Sequence, residues 1–121
     1  LKVVNDQCGS PTWSHRLALQ IRRLISSDAS GIYHASAEGY CTWYDLASAL
    51  LEKMNIPHRI LPCATTEYPT PAARPRNAIL ENRRLMEQGL NIMADWHQDL
   101  DEFIAAYGPR LLAECQGTDI K

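Results

Sequence analysis

Arg74 and Arg76 lie in a stretch, EYPTPAARPRNAIL, whose composition can hold a side chain still. Three of the chain's seven prolines fall at positions 69, 71 and 75. Each proline ring locks its own φ and pushes the preceding residue toward extended backbone, so the segment is expected to cross the surface as a stiff, extended strap. A guanidinium carries a planar fork of donors that matches phosphate or carboxylate oxygens, and a strap ordered beforehand loses little freedom when it binds. An anion contact is one use of these two arginines; ordinary solvation or an internal ion pair is the other, and spacing alone does not choose. A second stretch, NDQCGSPTW at residues 5 to 13, poses a similar choice. Val3 and Val4 lead into three polar side chains and a Gly-Ser-Pro turn, with a helical pattern directly after, which suits either a substrate loop or a solvated connection.

Other chemistries find little support. His15, His34, His58 and His97 are too scattered for the paired ligands of a helix-borne zinc site and read as packed or surface side chains. Cys8, Cys41, Cys63 and Cys115 have neither the close-pair spacing of a zinc site nor the density of a disulfide scaffold, so reduced thiols and no metal are expected. Ser14, Ser36 and Ser48 lack a nucleophile elbow, and the carboxylates between Asp99 and Glu102 suit a wet helix face near its start. The sequence contains no glycine-rich dinucleotide turn, no phosphate loop ending in Gly-Lys-Ser or Gly-Lys-Thr, and no His-Glu-x-x-His pair. With 12 basic and 14 acidic residues the net charge is only -2, so no global field points to nucleic acid or an anionic membrane. No apolar run approaches the roughly 18 to 20 residues that span a bilayer, and no secretory pattern is present, so a cytoplasmic location is expected.

The elements that must carry the arginines and the NDQ stretch follow from periodicity. At 121 residues the chain fits a single domain with a modest core. It opens on Leu1 in a strand-like LKVV, which reads as a boundary cut into a longer protein. Residues 12 to 25 place Trp13, Leu17, Ala18, Ile21, Leu24 and Ile25 on one helical face and His15, Arg16, Gln20, Arg22 and Arg23 on the other, with Thr12 as the expected N-cap. After a turn, IYHA is expected as a strand joining the layer of Val3 and Val4. Residues 41 to 54 predict a second helix, with Thr42 and Asp45 at capping-box spacing and an apolar stripe that puts Trp43 in the core. HRILPC reads as a third strand. Asn82 is the expected cap of a short helix stopped at Gly89, and Asp95 begins another, with Trp96, Leu100, Phe103, Ile104 and Tyr107 facing inward. Gly108 and Pro109 are expected to end it, leaving residues 110 to 121 as a short helix and a frayed tail. Short strands alternating with about four or five helices make an α/β fold.

Taken together and in order, VVNDQCGSPTW, Leu17-Ala18, GIYHAS, CTWYDLA, EYPTPAARPRNAILEN and DWHQDL resemble the C-terminal portion of the dTDP-4-dehydrorhamnose reductases, a family of extended short-chain dehydrogenase/reductases. The likeness runs from about Val3 to Phe103. It implies a small C-terminal substrate-binding lobe of a Rossmann-type reductase, occupying residues 1 to 121, with the N-terminal nucleotide-binding region absent. The implied reaction is reduction of the 4-keto group of dTDP-4-dehydro-L-rhamnose to dTDP-L-rhamnose, with NADPH, or alternatively NADH, as cofactor of the parent protein. That family's Tyr-x-x-x-Lys pair is missing: Tyr33, Tyr40, Tyr44, Tyr68 and Tyr107 all lack a lysine four residues later. No catalytic residue and no cofactor-binding residue is therefore expected in this fragment, which should be inactive alone and bind no cofactor. The implied partners are the dTDP-sugar, the nucleotide-binding lobe and further copies in a homo-oligomer. By the resemblance, Arg74 matches the position that contacts the diphosphate, Arg76 assists, and the Gln7 carboxamide reaches a phosphate or sugar oxygen. Ala78 departs from the serine familiar at its position, which removes a hydroxyl from the strap. The alternatives are a non-catalytic sugar-nucleotide or protein-binding subunit, or a related nucleotide-sugar epimerase or reductase.

Overall fold

A computed structural model describes residues 1 to 117. Val3 and Val4 belong to β1 (Lys2–Val4), which pairs in parallel with β4 (Leu61–Cys63), Val4 standing opposite Cys63. Parallel strands require a crossover. Here it contains β2 (Cys8–Gly9), α1 (Ser14–Ile25), β3 (Cys41–Thr42) and α2 (Trp43–Lys53). β2 and β3 form their own antiparallel pair, Cys8 opposite Thr42. A 3-10 turn (Thr65–Glu67), α3 (Arg83–Glu87) and α4 (Trp96–Gly117) complete the mixed α/β fold with its four helices. The core gathers Ala37, Cys41 and Trp96, with Leu46, Ala49 and Leu100 packed against them.

The capping box at α2 is present as its spacing predicts. Thr42 Oγ1 accepts the Asp45 N–H at 3.1 Å, and Asp45 Oδ2 accepts the Thr42 N–H at 2.9 Å. Asp95 likewise caps α4 by accepting the His97 N–H at 2.8 Å. Gly89 follows α3 with φ +66°, the left-handed backbone that glycine tolerates.

Several expectations are corrected, and each correction has a local cause. Thr12 does not cap α1: its hydroxyl accepts the Ala37 N–H at 3.0 Å and lies 2.9 Å from the Ser10 carbonyl, tying two loops together. Gln20, expected on the wet face of α1, is fully buried, because it serves the backbone of the loop before α4. Its Nε2 donates to the Leu90 carbonyl and its Oε1 accepts the Ile92 N–H at 2.8 Å. Ile21 and Ile25 are left exposed. IYHA forms no strand, since side chains occupy the places a neighbouring strand would take: Arg84 donates to the Ile32 carbonyl, and Asn82 both accepts from and donates to the Ser36 backbone. Asn82, committed there, precedes α3 without capping it by its side chain.

The terminal helix also differs. α4 runs through Gly108 and Pro109 to Gly117, so residues 110 to 117 continue it and do not make a separate short helix. An interior proline removes one helical hydrogen bond without forcing a stop when packing holds both flanks, and half-buried Leu111 and Leu112 provide that packing beyond it. Gly108 is buried where a Cβ would come within 3.2 Å of Ile104 Cγ2. Tyr107, expected inward, is exposed. The frayed tail expected at the end falls mainly on residues 118 to 121, outside the described residues.

Candidate functional site: a cavity beneath the proline strap

The apolar strand β1 and the short β2–β3 pair form one wall of a cavity of about 820 Å³, and the proline strap overhangs it. Gln7 and Arg74 both line this space, together with Trp43 and Tyr68. They are 67 positions apart in sequence. What brings them together is a backbone clip: the Cys8 N–H donates to the Arg76 carbonyl at 2.8 Å, and the Ala78 N–H donates to the Cys8 carbonyl at 2.9 Å. Cys8 and Asn77 thereby form a one-residue parallel bridge. Arg74 sits three residues before that bridge, in the part of the strap stiffened by Pro75.

Arg76 is placed differently. Its carbonyl makes the clip and it does not line the cavity, but its positive charge contributes to keeping Asp6 ionised. The larger cause is Thr65, whose hydroxyl hydrogen bond to Asp6 holds that carboxyl below its ordinary value of 3.8. Ala78 also lines the cavity, and its backbone N–H holds the strap to β2, so the strap is anchored without a serine hydroxyl at that position.

Trp43 was expected in the core and is instead 59% exposed at the cavity. The reason lies in its helical position. As the first residue of α2 it projects back toward the N-terminus, past the end of the helix. The capping box was visible in the sequence and placed the helix start there, so it was the signal that could have separated Trp43 from the buried stripe. Tyr68, 55% exposed, carries no periodic signal at all because it follows a single 3-10 turn.

Gly39 supports the lining residue Ser10 from outside the cavity. With φ +75° it turns the chain before β3, its carbonyl accepts the Ser10 hydroxyl at 2.7 Å, and a Cβ there would lie 2.8 Å from Asp95 Oδ2. Cys41, at the cavity's base, is an unpromising nucleophile. Burial, then the nearby Asp45 and Cys8, push its thiol up to about 11, so it stays protonated at neutral pH. All four cysteines are free.

The cavity residues suit an anion with an attached polar group. They do not fit a dinucleotide cofactor, which needs a strand running through a glycine-rich turn into a helix N-terminus. Among the described residues, β1 runs through Asn5 and Asp6 into β2, and β4 runs into the 3-10 turn. No group of three His, Cys, Asp or Glu side chains converges to hold a metal among the described residues. None of the described helices is long and apolar enough to cross a membrane.

Comparison with known proteins agrees with this architecture. A family model, the RmlD substrate binding domain, matches residues 1–108. The spore coat polysaccharide biosynthesis protein SpsK of Bacillus subtilis is 38% identical over 104 residues, which cover 86% of this chain and 36% of that protein. The dTDP-4-dehydrorhamnose reductase of Mycolicibacterium smegmatis is 33% identical over 108 residues, covering 88% of this chain and 33% of that enzyme. Among solved structures, the dTDP-4-dehydrorhamnose reductase of Bacillus anthracis in complex with NADP superposes with a TM-score of 0.84 at 34% identity, over 88% of this chain and 38% of that one. The chain thus spans about a third of the length of the curated relatives it matches. The ordered motifs, the strap clipped over its cavity and the match over residues 1–108 lead to one conclusion: this chain belongs to the RmlD substrate-binding domain family.

Proposed function

We propose that this chain is the sugar-nucleotide-binding part of an NADPH-dependent reductase that converts dTDP-4-dehydro-L-rhamnose to dTDP-L-rhamnose in the cytoplasm. The observation that carries the reading is the meeting of Arg74 and Gln7 in one cavity, on a strap fastened in advance to β2. Arg74 offers its guanidinium fork to the diphosphate, and Gln7 contacts a polar group of the nucleotide sugar. Trp43 and Tyr68 supply aromatic surface beside them. Arg76 supports the site through Asp6 and the clip, without direct contact.

In this reading the nicotinamide cofactor, NADPH or alternatively NADH, supplies hydride from a separate nucleotide-binding lobe. The residues of this chain bind and orient the sugar nucleotide. The isolated chain is then inactive, and the working protein is a homo-oligomer containing both lobes.

The test is substrate-dependent oxidation of NADPH by the intact protein, compared with the isolated chain. Turnover by the intact protein alone supports the reading. Turnover by the rigorously purified chain would remove the division of labour, and binding of the sugar nucleotide without turnover by the intact protein would favour a non-catalytic binding subunit. Turnover of a different nucleotide sugar in preference would make the protein a related reductase.

A further inference from the structure

The carboxamide of Gln7 has its direction settled by two residues behind it. Thr65 Oγ1 donates to Asp6 Oδ1 at 2.5 Å, and the Thr65 N–H donates to the same oxygen at 2.9 Å. A hydroxyl has one hydrogen. With that hydrogen given to Asp6, Thr65 Oγ1 can only accept, and it accepts from Gln7 Nε2 at 3.0 Å. Asp6 cannot reverse the chain of bonds, because an ionised carboxylate has no hydrogen to donate, and its hydrogen bond from Thr65 favours the ionised form. Turning the Gln7 amide over would set its Oε1 against the Thr65 lone pairs, two acceptors face to face. Gln7 is therefore left with Oε1 and its second amide hydrogen for a ligand, and no hydrogen bond to Oε1 occurs among the described residues.

Resting on the reading above, that the cavity holds a sugar nucleotide, we propose that Asp6 and Thr65 are positioning residues that lock the Gln7 amide so that its carbonyl oxygen reads an O–H or N–H donor of the ligand. The diphosphate at neutral pH is an acceptor and falls to Arg74, whose guanidinium only donates. The two side chains thus divide the ligand by hydrogen-bond polarity. Two parts of a dTDP-sugar carry a suitable hydrogen: a sugar hydroxyl and the imide N–H of the pyrimidine. A mis-set amide costs affinity for either, because its N–H donor would then face the donor of the ligand and leave both unpaired.

The experiment titrates dTDP-rhamnose, dTDP and inorganic pyrophosphate into the intact protein and its variants by calorimetry. Thr65→Val removes the relay, and Asp6→Ala frees the Thr65 hydroxyl to donate to Gln7 Oε1. Both are expected to weaken dTDP-rhamnose binding about three- to tenfold, while Thr65→Ser stays within about twofold of the wild type. Pyrophosphate binding should respond to Arg74→Ala alone. An equal loss for dTDP assigns the donor to the base, and a loss confined to dTDP-rhamnose assigns it to the sugar; either supports the proposal. Wild-type affinity for dTDP-rhamnose in Asp6→Ala and Thr65→Val, with Arg74→Ala weakened, overturns the proposal and leaves the cavity reading standing. So does a parallel fall in pyrophosphate binding, which marks general disruption of the site. Failure of the wild type to bind dTDP-rhamnose overturns the cavity reading and the proposal together. Should Thr65→Val not fold, as judged by circular dichroism, the contrast between Thr65→Ser and Asp6→Ala decides the matter.

Discussion

The Cys8 carbonyl accepts the Ala78 N–H at 2.9 Å, and this single bond, with its companion from Cys8 N–H to Arg76, fastens the proline strap across the end of β2. The strap has almost no burial of its own, since residues 66 to 81 are all exposed. Its placement depends on proline stiffness and on this clip, and Arg74 inherits its position from both.

Replacing Arg74 by alanine in the intact protein is expected to weaken the sugar nucleotide and leave NADPH affinity unchanged. Loss of a charge-assisted hydrogen bond costs on the order of 1.5 to 3 kcal/mol, or roughly 10- to 150-fold in Kd. Separate titrations of the two ligands check it. Unchanged sugar-nucleotide affinity in a folded variant would take Arg74 out of the site.

Asp6 gives the site an acid limit. Its folded carboxyl is held below the ordinary value of 3.8, chiefly by the Thr65 hydroxyl, so the stabilisation it contributes is fully present above that value and is lost as pH falls through the lower, folded one. Asp6→Asn should show a smaller loss of stability on acidification below about pH 4 than the parent. Denaturant midpoints measured from pH 6 to pH 2.5 provide the comparison; identical profiles would contradict it.

Arg16 and Asp99 pin α1 to α4. Arg16 Nε donates to Asp99 Oδ1 at 2.8 Å with side-chain exposures of 16% and 3%, and Asp99 Oδ2 is buried with no hydrogen-bond partner among the described residues. Arg16→Ala leaves a buried carboxylate with neither oxygen served by an arginine, and is expected to cost about 3 to 5 kcal/mol. A double replacement, Arg16→Met with Asp99→Leu, should be milder because it removes both charges. Urea unfolding of the three proteins tests the order, and equal destabilisation by single and double variants would refute it.

Thiol labelling should distinguish the cysteines. Cys41 is buried with its thiol pushed up to about 11, whereas Cys115 is exposed on α4. Iodoacetamide at neutral pH is expected to modify Cys115 rapidly and Cys41 only on unfolding. Peptide mass spectrometry over time reads this directly, and early modification of Cys41 in folded protein would count against the buried placement.

The isolated chain is expected to self-associate as its concentration rises. Leu1, Trp43 and Leu61 are all exposed along the β1 side and the cavity mouth, and apolar surface of this kind favours a substitute partner. Sedimentation velocity across concentrations should show reversible growth in mass; a monomer throughout would end the idea.

Much of the fold was legible because its causes are local. Thr42 and Asp45 make a capping box from adjacent backbone and side chains, Gly89 supplies left-handed backbone where α3 must stop, and β1 and β4 announce themselves by apolar runs. The strap's stiffness is likewise a property of covalent proline rings. The ordered motifs were enough to point to the family, and they singled out Arg74 and Gln7 as candidates, two residues that the fold brings to one cavity.

What the tertiary structure alone decided are the relationships between distant backbone groups. Nothing near Gln20 in sequence shows that the Leu90 and Ile92 backbone needs an amide, nor does anything near Asn82 show that Ser36 will claim it and suppress a strand at IYHA. Trp43 lies at the cavity and not in the core because its place at the very start of α2 leaves it outside the packed stripe. Hydrogen-bond satisfaction is a whole-chain constraint, while periodicity reports only on one element at a time. Sequence therefore determined which residue types could meet an anion, and folding decided that Gln7 and Arg74 share a cavity while Arg76 stands behind it, because the Cys8 clip exists only once the strap has crossed β2.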